Sequence, residues 1–323
     1  MRRNLIVVRS GKTSLHSEWL SSWTADAGWD LLCANFGGAV HRGTIGEAID
    51  TSSFATKFVF LNHLLDTGGR DLGVDIGDYD YVWFPDDDLS MSTEAVSSFF
   101  AWCNTVQPDL AQPALNSDSY ATHPLTCQHQ GCDYRRTTFV EIMAPCFSRR
   151  AWKSLAAAER FRTLGGWGYE LYMTNLFNPL AYPFVIFDAV AVTHTKQVGG
   201  PFYNWMPPGM SAQEEARKEL ERHSLDTRYG WYRCNLSLSS GNETLNHDEP
   251  GFIDRILGGL NYLYRRPTEK LRGLAFLQSS TTPGDSLTGI PIRIFAHATL
   301  ADYLLMQINV GEWVEFFRRA IDK

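Results

Sequence analysis

The feature that most constrains this chain is an alternation between residues 4 and 192. Short apolar runs end in polar turns, and each is followed by a segment with helical spacing. Residues 4–8 read as a buried strand that closes at the turn Arg9-Ser10-Gly11-Lys12. The spacing of Leu15, Trp19, Leu20 and Trp23 predicts a helix next. Residues 29–33 form a second strand ahead of Asn35 and Gly37-Gly38, and 56–66 a helix with Phe58, Leu61, Leu64 and Leu65 inward. Residues 81–84 form a third strand, and a helix from Ser92 buries Ala95, Val96, Phe99, Phe100 and Cys103. Strands at 110–115, 139–147 and 184–192, with helices from 148 and over 169–175, complete the series. Such alternation predicts an α/β sandwich with a mostly parallel sheet. Ligands of such sheets bind beyond the carboxyl ends of the strands.

The pattern changes near residue 210. Ser211 and Glu214 form a capping box for a charged helix to about residue 223, and 235–250 are polar and loop-like. A helical stripe runs from 252 to 264, and a last helical region from 300 to 321 is interrupted at Gly311. The expected division is a catalytic domain over 1–210 and a mostly helical extension over 211–323, with no internal repeat.

The third strand ends in three adjacent carboxylates, within Tyr81-Val82-Trp83-Phe84-Pro85-Asp86-Asp87-Asp88-Leu89. Adjacent carboxylates repel and are costly near a core unless a cation offsets them. Side chains of an extended chain alternate faces, so Asp86 and Asp88 are expected to converge while Asp87 faces away. Two convergent carboxylates suit a hard divalent cation that keeps open positions for water or phosphate oxygens. The plainer reading is an acidic loop before a helix capped by Ser92.

Four further segments carry chemistry. Gly165-Gly166-Trp167-Gly168-Tyr169-Glu170 combines close backbone approach, a flat apolar face for a sugar ring, and an acid at a helix start. Glu170 suits a general base, or else complements the helix dipole. His194 follows the 184–192 strand and is a candidate metal ligand. Glu141 interrupts an apolar strand and needs a partner, either Arg135 or Arg136 or a substrate hydroxyl. His123, Cys127, His129 and Cys132 are zinc-ligand types, but their spacing matches no standard finger or ribbon.

Taken in order, an acidic DxD at a strand end, Gly166-Trp167-Gly168-Tyr169-Glu170 and a late histidine resemble GT-A-fold glycosyltransferases, in particular the GWG-plus-acid motif of inverting galactosyltransferases. The segments 7–16, 79–89, 111–115, 138–145 and 167–170 more closely resemble the family labelled domain of unknown function 707. The resemblance covers residues 4–205. It implies a GT-A-like, Rossmann-like α/β/α sandwich and a donor that is a nucleotide-diphosphate sugar, a UDP-sugar first. It also implies Mn2+ or Mg2+ held by Asp88, with Asp86 on the ribose or the metal through water and His194 completing the shell. Glu170, or Glu141 in its place, is the implied base; the two acids of the galactosyltransferases are here Tyr169-Glu170. Val8, Arg9, Ser10 and Gly11 are expected to line the base and ribose, and Lys57 to meet ribose or phosphate. Asp87 and Trp167 lie on the donor side, and Asp87 is expected to matter more for folding than for metal affinity. Residues 195–210 read as a lid.

Composition bounds the alternatives. Apolar residues make up 44%, with 10 Trp, 13 Tyr and 19 Phe, which supports a substantial core. A net charge of −7 argues against nucleic acid as the main partner. The short apolar run after Arg3 does not read as a signal peptide, and scattered cysteines suit a reducing cytoplasm. The sequons at Asn235 and Asn242 then carry no meaning. Expected partners are the donor and a glycan or lipid-linked glycan acceptor of surface polysaccharide synthesis. The stripe at 252–264 with the following Arg265 and Arg266 suits a peripheral position on the inner face of the membrane, or packing on the catalytic domain or a second subunit in a homo-oligomer. Alternatives are a non-catalytic nucleotide-sugar-binding protein and a metal-dependent phosphoryl hydrolase; in the latter, Leu89 stands where such hydrolases place a small residue.

Overall fold

The structure, a computed structural model, describes residues 4–46, 48–129, 133–137, 139–177, 183–197, 211–225, 237–240, 274–278 and 293–297. In chain order its strands are β1 (Asn4–Ser10), β2 (Trp29–Asn35), β3 (Ile49–Asp50), β4 (Tyr81–Trp83), β5 (Leu89–Ser90), β6 (Leu110–Leu115), β7 (Tyr134–Thr137), β8 (Cys146–Ser148), β9 (Phe184–His194), β10 (Ser237–Ser240), β11 (Leu274–Gln278) and β12 (Arg293–His297). The helices are α1 (His16–Trp19), α2 (Lys57–Thr67), α3 (Thr93–Val106), α4 (Arg149–Ala157), α5 (Tyr169–Phe177) and α6 (Ala212–Arg222).

The main sheet runs β10-β7-β9-β6-β8-β4-β1-β2-β3, and β5 pairs with the end of β9. It is mixed. The strands β4, β1, β2 and β3 are parallel, as are β6 and β9, but β8 lies antiparallel between β4 and β6. Two antiparallel steps restore direction, so β1, β2, β4, β6 and β9 all point their carboxyl ends to one edge. β1 has neighbours on both sides and is buried almost throughout, which is why it reads as an unbroken apolar run.

Side-chain alternation divides the core into two layers. Trp83 stacks at 6.5 Å on Trp19 of α1 and lies 4.5 Å from Phe99 of α3, while the next residue, Phe84, stacks at 5.6 Å on Trp152 of α4. Helices therefore cover both faces. Thr56, Ser92, Ser148 and Ser211 cap α2, α3, α4 and α6, each accepting a backbone N–H of the first turn.

Two expectations change. The strand expected over 139–147 is a turn followed by the short β8. Pro145 lacks an N–H and Glu141 gives its own N–H to the Gln112 side chain, so the segment cannot join a ladder. The helix expected after Lys12 is the single turn α1, because the Ser22 N–H goes to Thr93 Oγ1 rather than to a helical carbonyl. The chain divides into two compact units, the first comprising 1–122 and 126–242 and so including α6. The second unit comprises 123–125 and 243–323; its described strands β11 and β12 pair antiparallel, Leu274 opposite His297. The helical stripes expected at 252–264 and 300–321 lie outside the described residues, as do 198–210 of the expected lid and Cys132.

Candidate active site

Beyond Trp83 the chain continues as a ribbon. Phe84 N donates to Pro145 O (2.9 Å) and Asp86 N to Met143 O (2.8 Å), so the aspartates emerge at the carboxyl edge of the sheet. There each carboxylate takes a different partner. Lys57, at the first turn of α2, places its Nζ 2.8 Å from Asp86 Oδ1, 2.9 Å from Ile142 O and 3.1 Å from Met143 O. An ammonium has three N–H groups, and all three are engaged. Lys57 is thus a clamp on Asp86 and the 142–143 turn rather than a free contact for ribose or phosphate. Burial raises the Asp86 pKa against the pull of Lys57, with Asp88 adding like charge, although 40% of the side chain stays exposed.

Asp87 turns the other way, as expected. Its Oδ2 accepts the Gly11 N–H at 2.7 Å and its backbone oxygen accepts the Leu15 N–H at 2.7 Å, tying down the chain that leaves β1. A Cβ on Gly11 would meet Phe36 at 2.9 Å and Asp87 Oδ2 at 3.4 Å.

Asp88 and His194 are brought together by strand register. Leu89 pairs with His194, and Thr195 donates to Asp88 O through both its N–H (3.1 Å) and Oγ1 (2.9 Å). His194 donates from Nδ1 to Tyr120 O at 2.7 Å, which directs Nε2 to Asp88 Oδ1 at 3.5 Å. Burial opposes the charge of both groups. Their mutual attraction outweighs it, holding Asp88 below and His194 above its ordinary range, with Lys196, 3.7 Å from Asp88 Oδ2, adding to the former. Asp88 Oδ1 is buried without a hydrogen-bond partner.

These two donors fit a cation. Two ligands of one divalent ion, each about 2.1 Å from it, stand roughly 3.0–3.4 Å apart, close to the Oδ1–Nε2 separation. The Nδ1 bond to a backbone carbonyl is the outer-shell contact that fixes a ligating imidazole. Among the described residues no group of three or more His, Cys, Asp or Glu forms a metal-binding cluster. Water or ligand oxygens would have to complete the shell.

Glu141 and Glu170 supply buried acid. Glu141 is 5% exposed and Glu170 4%, and one oxygen of each, Oε2, has no hydrogen-bond partner among the described residues. Burial pushes Glu141 up to about 7 and Glu170 up to about 8. Glu141 is within electrostatic reach of His194 and Asp86, and it raises Glu170 further. The arginine partner expected for Glu141 is engaged elsewhere: Arg135 forms a fully buried ion pair with Asp188 at 2.7 Å.

Glu170 opens α5, and the turn before it leaves no room for side chains. Gly166 (φ +76°) would put a Cβ 2.0 Å from the Phe58 ring of α2; Gly168 (φ +85°) would meet Leu220, Phe161 and Ala216 at 3.2–3.3 Å. Trp167 between them is half-buried. The glycines thus serve packing against α2 and α6 as much as approach to a ligand.

The β1 end is mixed. Val8 is fully buried. Arg9 caps the 51–55 loop through Phe54 O and lies 4.5 Å over the Phe36 ring, and Ser10 bonds Asn35 Oδ1 at 3.1 Å. Sequence reasoning missed the histidine pair beside this point. His41 Nε2 is 2.9 Å from Gly11 O, and its ring meets that of His16 at 4.6 Å. Burial, aided by His41, lowers His16 to about 4. No spacing rule links His16 at the start of α1 to His41 in a loop 25 residues on; the only local signal was the polar Asn35 ending β2, which holds His41 by two hydrogen bonds of 3.0 and 2.9 Å.

No family model and no curated protein matches the sequence, so the resemblance to the domain of unknown function 707 family rests on its motifs. Solved structures similar to this chain include GalNAc-T7 with UDP, GalNAc and Mn2+, at 9% identity and a TM-score of 0.47 over 68% of this chain and 48% of that one. S. aureus TarS with UDP-GlcNAc is 10% identical, with a TM-score of 0.46 over 82% of this chain and 73% of that one. TarS with UDP is 11% identical, with a TM-score of 0.38 over 71% and 73%. The chain spans about half the length of the GalNAc-T7 structure.

Proposed function

We propose that this chain is a metal-assisted, inverting glycosyltransferase. It would move a sugar from a nucleotide-diphosphate sugar, a UDP-sugar first, to a hydroxyl of a glycan or glycolipid in surface polysaccharide synthesis. The observation that carries the reading is the electrostatic chain at one sheet edge, from the cation-fitting pair Asp88 and His194 through Glu141 to the buried Glu170.

Transfer needs a stabilised leaving group and a base for the attacking hydroxyl. Asp88 and His194 would hold a divalent cation, which would supply Lewis-acid neutralisation of charge on a departing diphosphate. Lys196 is half exposed and only loosely held by Asp88, which leaves its ammonium available to phosphate oxygens. Glu170 receives the acceptor proton at Oε2, and its raised pKa makes it a stronger base than a surface carboxylate. Burial is the main cause of that raised pKa, and the charge of Glu141 adds to it. Trp167 offers a flat apolar face to a sugar ring.

Thermal-shift measurement with UDP and GDP, with and without Mn2+, tests the reading. A metal-dependent nucleotide shift that disappears in Asp88→Ala is expected. Glu170→Gln should keep that shift and lose sugar transfer, which separates an enzyme from a binding protein; the anomeric configuration of the product decides inversion. A shift indifferent to both Mn2+ and Asp88→Ala would overturn the metal assignment.

A further inference from the structure

The helix α6 lies outside the stretch that carries the GT-A resemblance, yet two of its carboxylates bind the backbone of the loop that leads into Gly166-Trp167-Gly168. Glu215 accepts the Leu164 N–H at Oε1 (2.6 Å) and the Gly165 N–H at Oε2 (3.3 Å), a two-pronged grip on successive amides. One turn further on, Glu219 accepts the Arg162 N–H and is itself held by Arg222. Ala216 and Leu220, on the same face, close on Gly168. The other end of the loop is fixed by Arg160, which bonds Ala156 O and Ala158 O at the end of α4 and Leu65 O at the end of α2. From Arg160 to Gly168 the loop is held by α6 on one side and by α2 and α4 on the other, and Glu170 follows directly.

We propose that Glu215 is a positioning residue for the transfer reaction. By holding the amides of Leu164 and Gly165, it sets the turn that aims Trp167 and the Glu170 carboxylate. A carboxylate suits this task because charge-assisted bonds to backbone N–H groups are stronger than neutral ones. The inference rests on the glycosyltransferase reading and adds to it an element from outside the resembling stretch.

The test uses the full chain and follows UDP release from UDP-glucose, UDP-galactose, UDP-N-acetylglucosamine and UDP-N-acetylgalactosamine with Mn2+. In parallel, hydrogen exchange is measured at the Leu164 and Gly165 amides. Glu215→Ala should lower kcat at least tenfold, keep donor KM and UDP affinity within twofold, and speed exchange at both amides. Glu215→Gln keeps one acceptor oxygen and should fall between the two. Faster exchange with unchanged kcat would overturn the positioning role and leave a structural clamp; unchanged exchange would overturn the clamp itself. A wild-type chain that releases no UDP from any of the four donors would overturn the glycosyltransferase reading and the positioning role with it, whereas wild-type release with an unaffected Glu215→Ala would overturn the positioning role alone.

Discussion

Lys57 is the residue through which the acidic triplet is reconciled with the fold. Its three donors join Asp86 to the carbonyls of Ile142 and Met143, so one side chain fixes the DxD ribbon and the turn bearing Glu141. Replacing it by Met removes three charge-assisted bonds and leaves Asp86 without its counter-charge. Lys57→Met is expected to destabilise the protein by roughly 2–3 kcal/mol, as read by urea denaturation, and Asp86→Asn by less because an amide still accepts from the lysine. The sequence shows that three carboxylates at a strand end need compensation. It does not show how they are compensated, because the compensating groups come from α2, from the chain leaving β1 and from the end of β9. Alternation of side chains correctly sent Asp87 away from its neighbours. It also suggested that Asp86 and Asp88 share one cation; here Asp86 meets Lys57 and Asp88 meets His194.

Among the elements, the most legible were those buried on both faces or capped by a hydroxyl. β6 runs from Leu110 to Leu115 as its apolar pattern dictates, and α3 begins where Ser92 allows. The 139–147 segment misled because its composition is that of a strand while its hydrogen bonds go to side chains and to turns. The glycines before α5 were legible as glycines that permit close approach, but what approaches is Phe58 and α6. Gly166→Ala therefore forces a Cβ to within 2.0 Å of the Phe58 ring at a left-handed φ. A loss of about 3 kcal/mol or more is expected from overpacking and strain together. Gly168→Ala, whose contacts of 3.2–3.3 Å can relax, should lose about 1–2 kcal/mol. Chemical denaturation of the two variants side by side checks both order and size, and Phe58→Ala should rescue part of the first loss and none of the second.

Across the whole molecule, the buried carboxyls link stability to pH. Glu141 and Glu170 rise from an ordinary 4.5 to about 7 and about 8, so the folded chain holds protons that the unfolded chain has released. Their penalty is absent below pH 4.5, grows as pH rises towards 7 and 8, and is constant above that. His16, lowered to about 4 from 6.5, acts in the opposite sense, with stability lost as pH falls through that window. The difference between wild type and Glu170→Gln isolates one group. The variant is expected to gain on wild type by at most roughly 1.4 kcal/mol per pH unit between pH 4.5 and 8, read from denaturation midpoints in a pH series. On the proposed reading the transfer rate is expected to climb with pH until Glu170 is fully ionised, as a pH–rate profile would show. Topology adds a kinetic constraint. β1 to β4 can pair from the first third of the chain, but the partner of Asp88 arrives with the last residue of β9, and β9 needs β6 beside it. Contacts so distant in sequence form late and slowly. A ribosome-bound chain lacking β9 would hold the parallel sheet without the Asp88–His194 pair, so nascent protein would be folded in part before that corner of the site could form.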